Sequence, residues 1–192
     1  MRTHRLFVAL ELPDAVRGAL AGPLEDLRTH LADVRWERVD KLHVTMQFLG
    51  ATAPEVIEAI EVAMRGAVAG CRPHALQLAG IQGAPAPHTP RMVWARLAGD
   101  VQGLTSLRDA VGTALAPLGF AADHRPFQPH ITVGRVARDA SGTERRTVAA
   151  AIARCAAPPG VEWQVLSLAL FESVGTRDGT RYVKRSEVGL GG

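Results

Sequence analysis

Hydrophobic and polar positions follow one another in a regular order along the first half of the chain. Apolar runs typical of buried strands alternate with stretches whose apolar residues recur at helical spacing. Gly50 is expected to end the second strand, and the segment from Thr52 to Glu55 fits a capping box for the next helix. The pattern predicts a strand at residues 5–12, a helix that starts at Pro13-Asp14 and runs to 31, a strand at 42–49, a helix at 57–64 and a strand near 75–81.

The second half repeats this succession after an exposed, proline-rich connection at residues 82–90. A strand comes first, Asp100 then begins a helix, and a second alternating strand carries a second histidine. The offset between the two first strands, at Arg5 and Arg91, matches the offset between the two histidines to within one residue. The predicted elements are a strand at 91–97, a helix at 100–118, a strand at 129–135, a helix at 143–154, a strand at 162–171 and a last strand at 181–188.

Two of the predicted strands each place a histidine and a threonine on one face. In the first, alternation puts His43, Thr45 and Gln47 on the same side of the strand. In the second, it puts His130 and Thr132 together. The opposite faces are apolar and should meet the core, through Val44, Met46 and Phe48 in the first strand and Ile131 and Val133 in the second.

The repeated order of elements indicates an internal duplication. Two copies are too few for a solenoid, so we expect a pseudo-twofold pair of lobes with equivalent residues facing each other across a cleft. His43 and His130 are such equivalent residues. A chain of 192 residues can bury one sizeable core, and we expect residues 1–192 to form a single bilobal domain.

Composition narrows the class of protein. The net charge of +3 favours acidic partners only slightly, and all but two of the 22 basic residues are arginines, whose planar fork suits phosphate. Cys71 and Cys155 have no accompanying ligand cluster, so we expect reduced thiols and neither a zinc site nor a disulfide framework. The apolar run near the amino terminus is too short for a signal peptide, and none reaches membrane-spanning length. We therefore expect a soluble, cytoplasmic protein.

The paired histidines and threonines suit an in-line attack on phosphorus. One imidazole can take a proton from the nucleophile while the other protonates the leaving oxygen. With an ordinary pKa of about 6.5, histidine can be either base or acid near neutral pH. Thr45 and Thr132 can donate hydroxyl hydrogen bonds to the non-bridging phosphate oxygens. This chemistry needs neither a metal nor a cofactor, so none is predicted, and the motif by itself does not order the two histidine roles.

The two motifs resemble the signature pair of the two-histidine phosphoesterases. They read His43-Val-Thr-Met-Gln-Phe-Leu-Gly50 and Arg125-Pro-Phe-Gln-Pro-His-Ile-Thr-Val-Gly-Arg135. The likeness extends to residues 5–13, 91–94 and 168–173, and so spans nearly the whole chain. The group that the chain resembles most is the bacterial and archaeal RNA 2′,3′-cyclic phosphodiesterases, formerly called 2′-5′ RNA ligases.

The resemblance implies a bilobal α+β fold in which two antiparallel sheets flank a central cleft, with helices outside. It also implies metal-independent hydrolysis of RNA 2′,3′-cyclic phosphate ends to 2′-phosphomonoesters, with ATP-independent 2′-5′ RNA ligation as a second reaction. By the family's usual assignment, His43 is the proton donor and His130 the proton acceptor. The expected partner is RNA with a 2′,3′-cyclic phosphate end, or a cyclic nucleotide. We expect a monomer without membrane or metal partners.

Five further residues are candidates for binding the substrate. Arg135 matches the family's basic residue after the second motif, although ideal alternation places it opposite His130 unless Gly134 allows a bulge. Arg125 is a second phosphate-binding candidate. Candidates for stacking a base, with burial in the core as the alternative, are Trp36, Phe127 and Tyr182.

Two other functions stay open at the level of sequence. A catalytically silent RNA- or nucleotide-binding module built on the same cleft would bind its ligand without turnover. A related phosphodiesterase of a small nucleotide, such as an ADP-ribose cyclic phosphate or a 2′-5′ oligoadenylate, would prefer a short substrate. Turnover distinguishes the first from an enzyme, and the preferred substrate length distinguishes the second.

Overall fold

The computed structural model describes residues 3–121, 126–177 and 179–191. This part of the chain contains four α-helices and nine strands, which form two antiparallel sheets, so the predicted α+β class is confirmed. None of its helices is long and apolar enough to cross a membrane. The helices are α1 (Asp14–His30), α2 (Ile57–Val68), α3 (Val101–Leu115) and α4 (Gly142–Arg154). The strands are β1 (His4–Glu11), β2 (Val34–Trp36), β3 (His43–Thr52), β4 (His74–Ala84), β5 (Met92–Gly99), β6 (His130–Val136), β7 (Glu162–Val165), β8 (Ser167–Thr176) and β9 (Gly179–Gly189).

The two halves of the chain exchange strands. One sheet has the order β3-β1-β8-β9 and the other the order β2-β6-β5-β4-β7. Each histidine strand therefore pairs with the first strand of its own half, β3 with β1 and β6 with β5. The later strand β4 of the first half pairs with β5, however, and β8 of the second half pairs with β1. The duplication thus produces two related sheets, each completed by two strands from the other half.

The strand predicted at residues 162–171 is two strands in different sheets. β7 pairs with β4 in the five-stranded sheet, whereas β8 pairs with β1 and β9 in the four-stranded sheet. The chain crosses between the sheets at Leu166, whose side chain is exposed. The prediction of one strand was wrong because hydrophobic alternation records which side chains are buried and not which neighbour each strand pairs with.

One predicted helix start was wrong, and the chain has its capping box elsewhere. Gly50 does not end β3, which continues to Thr52, and the Thr52 hydroxyl donates to the Gly50 carbonyl at 3.3 Å instead of capping a helix. A capping box is present at α4, where Ser141 and Glu144 each bond to the other's backbone N–H.

Alternation along β1 separates the main core from the face that bears the site. Leu6, Val8 and Leu10 belong to the large core, to which both sheets and all four helices contribute. Burying each such side chain stabilises the fold by about 1.5–3 kcal/mol. Phe7 and Ala9 point to the other side of the sheet, where they form a smaller cluster with side chains of β8.

Candidate active site

The two histidine strands meet although they belong to different sheets. β3 is an edge strand of the four-stranded sheet, and β6 lies inside the five-stranded sheet, yet the two strands contact each other. His43 and His130 are the first residues of these strands. The two side chains lie close enough for the charge of His130 to act on His43. We call the space between the sheet faces that bear these two residues the cleft.

Both imidazoles are held in the same way. Nδ1 of His43 lies 2.8 Å from the carbonyl oxygen of Lys41, and Nδ1 of His130 lies 2.6 Å from that of Gln128. A carbonyl oxygen can only accept a hydrogen bond, so Nδ1 must carry the hydrogen in each ring. In the neutral form, Nε2 therefore has the free lone pair on both histidines, and it is the atom available for proton transfer.

Burial lowers the pKa of both histidines below the ordinary value of 6.5. Desolvation is the largest cause in each case, because it disfavours the charged imidazolium. The hydrogen bond to the backbone carbonyl opposes this effect in both rings, and the charge of Glu37 also opposes it at His43. The positive charge of Arg135 lowers both pKa values further. The free site therefore favours two neutral imidazoles.

Thr45 and Thr132 lie where the motif predicts them, half-buried and two residues after the histidines. Neither hydroxyl forms a hydrogen bond within the described ranges of the chain. Both threonines precede the point at which their strand becomes irregular, so each stays on the face of its histidine. Two hydroxyl donors thus remain available for a ligand in the cleft.

The prediction that Gln47 shares the histidine face, with Phe48 on the core side, was wrong. The pairing of β3 with β1 shifts by one residue at Met46, which forms a bulge and reverses the alternation beyond it. Gln47 is buried, and its amide donates to the carbonyls of Phe120 and Ala121, both at 3.3 Å. Phe48 is 73% exposed on the cleft side.

A bulge at the corresponding place in β6 turns Arg135 into the cleft. The pairing with β5 shifts by one residue at Val133, so Arg135 returns to the face of His130. Gly134 follows the bulge, and a Cβ atom there would lie 2.8 Å from a methyl group of Val34. The absence of a side chain at residue 134 therefore lets the strand pack this closely.

Charged side chains on or next to the five-stranded sheet act on Tyr182 of the four-stranded sheet. Nε of Arg135 lies 3.6 Å from Oε1 of Glu37. Burial raises the pKa of the Tyr182 hydroxyl, the charge of Glu37 raises it further, and those of Arg135 and Arg35 lower it. Tyr182, predicted as a stacking candidate, thus faces the cleft.

A cavity of about 170 Å³ adjoins His43 and has an aromatic wall. The ring of Phe7 has its centroid 4.9 Å from that of His43, and the Tyr182 ring stands edge-on to His43 at 5.3 Å. Phe171 stacks on Phe7 at 5.4 Å. The charged residues that line the same cavity include both lysines of the chain and are Glu11, Arg17, Asp40, Lys41 and Lys184.

The surroundings of His130 are different, because a tryptophan covers its ring. The indole of Trp94 stacks on the imidazole with the centroids 3.8 Å apart and the planes inclined by 16°. Trp94 pairs with Thr132 across the two strands, and the exposed Arg96 pairs with His130. The sequence pattern indicates part of this arrangement, because alternation puts Trp94 and Arg96 on one face of the strand. Only the pairing of β5 with β6 shows that this is the histidine face.

Two of the predicted stacking candidates pack against the core instead. Trp36 packs against the core, with its ring beside Gly134. Phe127 also packs against the core, and the guanidinium of Arg108 lies 4.8 Å from its ring centroid. Arg125 lies outside the described residues.

Comparison with known proteins identifies the family. The profile of the 2′-5′ RNA ligase superfamily matches residues 13–177. The chain belongs to this superfamily. The family predicted from the two motifs is therefore confirmed.

Among residues 3–121, 126–177 and 179–191, no group of three or more histidine, cysteine, aspartate or glutamate side chains is placed to hold a metal ion.

Several relatives in the superfamily carry the same name. A protein of Archaeoglobus fulgidus named RNA 2′,3′-cyclic phosphodiesterase is 33% identical over 134 residues, which cover 70% of this chain and 73% of the relative. An Escherichia coli K12 protein of the same name is 30% identical over 183 residues, covering 93% of this chain and 92% of the relative. A crystal structure of a Thermus thermophilus protein superimposes with a TM-score of 0.78 at 26% identity, covering 98% of each chain.

Proposed function

We propose that this protein hydrolyses the 2′,3′-cyclic phosphate at the end of an RNA to a 2′-phosphomonoester, with His43 and His130 as the proton-transfer pair. The observation that carries the proposal is the matched arrangement of the two imidazoles, each held through Nδ1 by the backbone carbonyl two residues earlier. This arrangement leaves Nε2 of both rings available for proton transfer. The name shared by relatives in the superfamily supports the same reaction.

The reaction needs one base and one acid. In the proposed step, His130 takes a proton from water while the water oxygen bonds to phosphorus. The bond from phosphorus to O3′ breaks, and Nε2–H of the protonated His43 gives its proton to O3′. The phosphate stays on O2′, which yields the 2′-phosphomonoester.

The cavity beside His43 supports this order of roles. An aromatic wall suits the terminal nucleoside, because base faces stack well on aromatic rings. The oxygen that leaves phosphorus belongs to the ribose of that nucleoside, so the acid must stand on the nucleoside's side. No corresponding space opens over the ring face of His130 that Trp94 covers. That histidine is then placed to serve the water on the opposite side of phosphorus.

Three side chains are suited to hold the phosphoryl oxygens. Thr45 and Thr132 supply hydroxyl donors that are otherwise unused within the described part of the chain. Arg135 supplies a positive charge on the cleft face of β6. Donors that are fixed in advance stabilise the charge that develops in the transition state, because they need little rearrangement as the reaction proceeds.

Metal independence and ligation are parts of the same proposal. Two imidazoles supply both proton transfers, so the proposed step needs no metal-bound water. A 5′-hydroxyl of a second RNA can take the place of water, with the same transfers, and the product is then a 2′-5′ phosphodiester. The cyclic phosphate provides the reactive bond, so this joining needs no ATP.

Product analysis on an RNA that ends in a 2′,3′-cyclic phosphate tests the proposal. The expected product is a 2′-phosphomonoester, formed at the same rate with excess EDTA. Loss of activity with EDTA and recovery with one divalent ion would show that the reaction depends on a metal. Binding of the RNA without turnover would favour the silent binding module. A 3′-phosphomonoester would contradict the proposed leaving group.

A further inference from the structure

Phe48 is an aromatic side chain exposed to solvent near the candidate active site. Three large hydrophobic residues are strongly exposed among the described residues: Phe48 at 73%, Leu166 at 60% and Val62 at 55%. Phe48 is the aromatic one, and a phenylalanine ring left in water forgoes the free energy that its burial would provide. The exposure of Phe48 therefore needs a physical explanation.

The strand holds Phe48 in this orientation from both sides. The pairing of β3 with β1 shifts once before residue 47 and again after residue 48, so two irregularities enclose this short segment. Gln47 is buried and donates two hydrogen bonds to carbonyls after α3, which fixes its side chain in the core. Because neighbouring side chains of a strand point to opposite faces, a buried Gln47 directs Phe48 to the cleft side.

The ring of Phe7 is close to both Phe48 and His43. The ring centroid of Phe48 is 6.2 Å from that of Phe7, and the centroid of Phe7 is 4.9 Å from that of His43. Phe48 is not among the residues that line the cavity beside His43. It therefore extends the aromatic face beyond the place proposed for the terminal nucleoside and leaves a ring surface open.

A positively charged side chain lies on the same side of the sheet as this ring. Arg5 stands two residues before Phe7 on β1, so both side chains share the cleft side of the sheet. Arg5 is exposed and forms no ion pair with another residue in the described ranges. An open aromatic ring with an arginine on the same face of the sheet is the combination that binds single-stranded nucleic acid, where bases stack and phosphates pair with cations.

We propose that Phe48 stacks the base of the nucleotide that precedes the terminal one, so that the substrate is an RNA end and not a single cyclic nucleotide. This inference rests on the proposed function. A mononucleotide fills only the cavity beside His43, whereas a dinucleotide also reaches Phe48. The linking phosphate between the two nucleosides is the group that Arg5 would attract.

Substrate length provides the test. For the wild-type protein, kcat/KM is measured with 2′,3′-cyclic AMP, with a di-adenylate and with a tetra-adenylate, the two oligomers ending in a 2′,3′-cyclic phosphate. We expect a rise of roughly 5- to 100-fold from the mononucleotide to the dinucleotide, which corresponds to stacking one base, and a smaller change beyond it. Phe48→Ala and Phe48→Leu should bring the ratio of dinucleotide to mononucleotide close to one. Phe48→Tyr should keep it.

Val62→Ala is the matched control, because Val62 is also exposed but lies on α2. If Phe48→Ala does not fold, the Leu variant, which keeps bulk without an aromatic ring, provides the same test. Equal kcat/KM for the mononucleotide and the dinucleotide in the wild-type protein would overturn the inference. So would a Phe48→Leu variant with the wild-type ratio, or one that loses the same factor on both substrates. Failure of the proposed function is a different result, since the wild-type protein would then turn over none of the three substrates.

Discussion

The half of the site around His43 and the half around His130 have the same pattern of strand pairing. They differ in the side chains at equivalent positions. In the first, Glu11 faces His43 and Ala9 faces Thr45. In the second, Arg96 faces His130 and Trp94 faces Thr132. The positions after the two bulges also correspond, with Phe48 in β3 and Arg135 in β6.

These exchanges give the two halves different chemistry. The small Ala9 belongs to the cluster beside the cavity that adjoins His43, whereas the equivalent Trp94 covers the face of His130. The first half therefore has a cavity with an aromatic wall and charged residues around it, which suits a nucleoside. The second half is filled and carries Arg96 and Arg135, which suits a charged phosphoryl group and the water that attacks it. A duplicated frame can thus hold one acid and one base of the same residue type.

The largest expected effect is the loss of either histidine. His43→Ala and His130→Ala should each lower kcat/KM by about 10²- to 10⁴-fold, because one proton transfer is removed, and the double variant should lose far less than the product of the two. Single-turnover kinetics and circular dichroism separate this effect from unfolding. A single variant with near wild-type turnover contradicts the assignment.

A modified substrate sharpens the same comparison. Sulfur in place of O3′ gives a leaving group that needs little protonation, so His43→Ala should recover much of its rate on such a cyclic phosphorothiolate. His130→Ala should not recover, since water still has to lose a proton. Recovery in His130→Ala alone would reverse the two roles.

The threonines should have the next largest effect. Thr45→Val and Thr132→Val keep shape and strand preference but remove a hydroxyl donor, and each should lower kcat by about 10- to 10³-fold. The measurement is steady-state kinetics with the melting temperature as the control. Normal turnover in both variants would mean that other groups hold the phosphoryl oxygens.

The ring face of Trp94 should influence kcat and the pKa of His130. An aromatic face attracts a cation, and such a contact contributes about 0.5–2 kcal/mol. The indole should therefore favour the imidazolium that forms when His130 accepts a proton. Trp94→Leu keeps an apolar neighbour without that face. We expect roughly 2- to 30-fold lower kcat and a lower pKa of His130. The pKa is followed by NMR titration, and an unchanged titration would limit Trp94 to packing.

The smallest expected effect is a shift along the pH axis. Because burial lowers both histidine pKa values, the bell-shaped profile of kcat/KM should have its maximum on the acid side of 6.5. The positive charge of Arg135 lowers both values, so Arg135→Gln should move both limbs to higher pH. The limbs belong to the coupled pair. A profile that stays in place or moves to lower pH contradicts this electrostatic role.

Much of this architecture is readable from local patterns. Strand alternation and helical spacing depend on which side of an element is buried, and that property is recorded residue by residue in the sequence. They predicted the four helices, the duplication and the placement of each threonine with its histidine. They also predicted seven strands, but missed the short β2 and took β7 and β8 for one strand. The two motifs also sufficed to predict the family. That residues 1–192 form one domain stays a prediction.

What only the tertiary structure decided depends on pairing between distant segments. The bulges at Met46 and Val133 reverse a local alternation because the neighbouring strand shifts by one residue. In the sequence, Gly134 indicated that a bulge was possible in β6, and nothing within β3 indicated the other. Gln47 is buried because carbonyls beyond α3 satisfy its amide, and Phe48 is turned outward as a consequence. The crossing at Leu166 and the stacking of Trp94 on His130 likewise follow from the choice of strand partners. Local sequence records burial, whereas the register between strands is set by the whole fold.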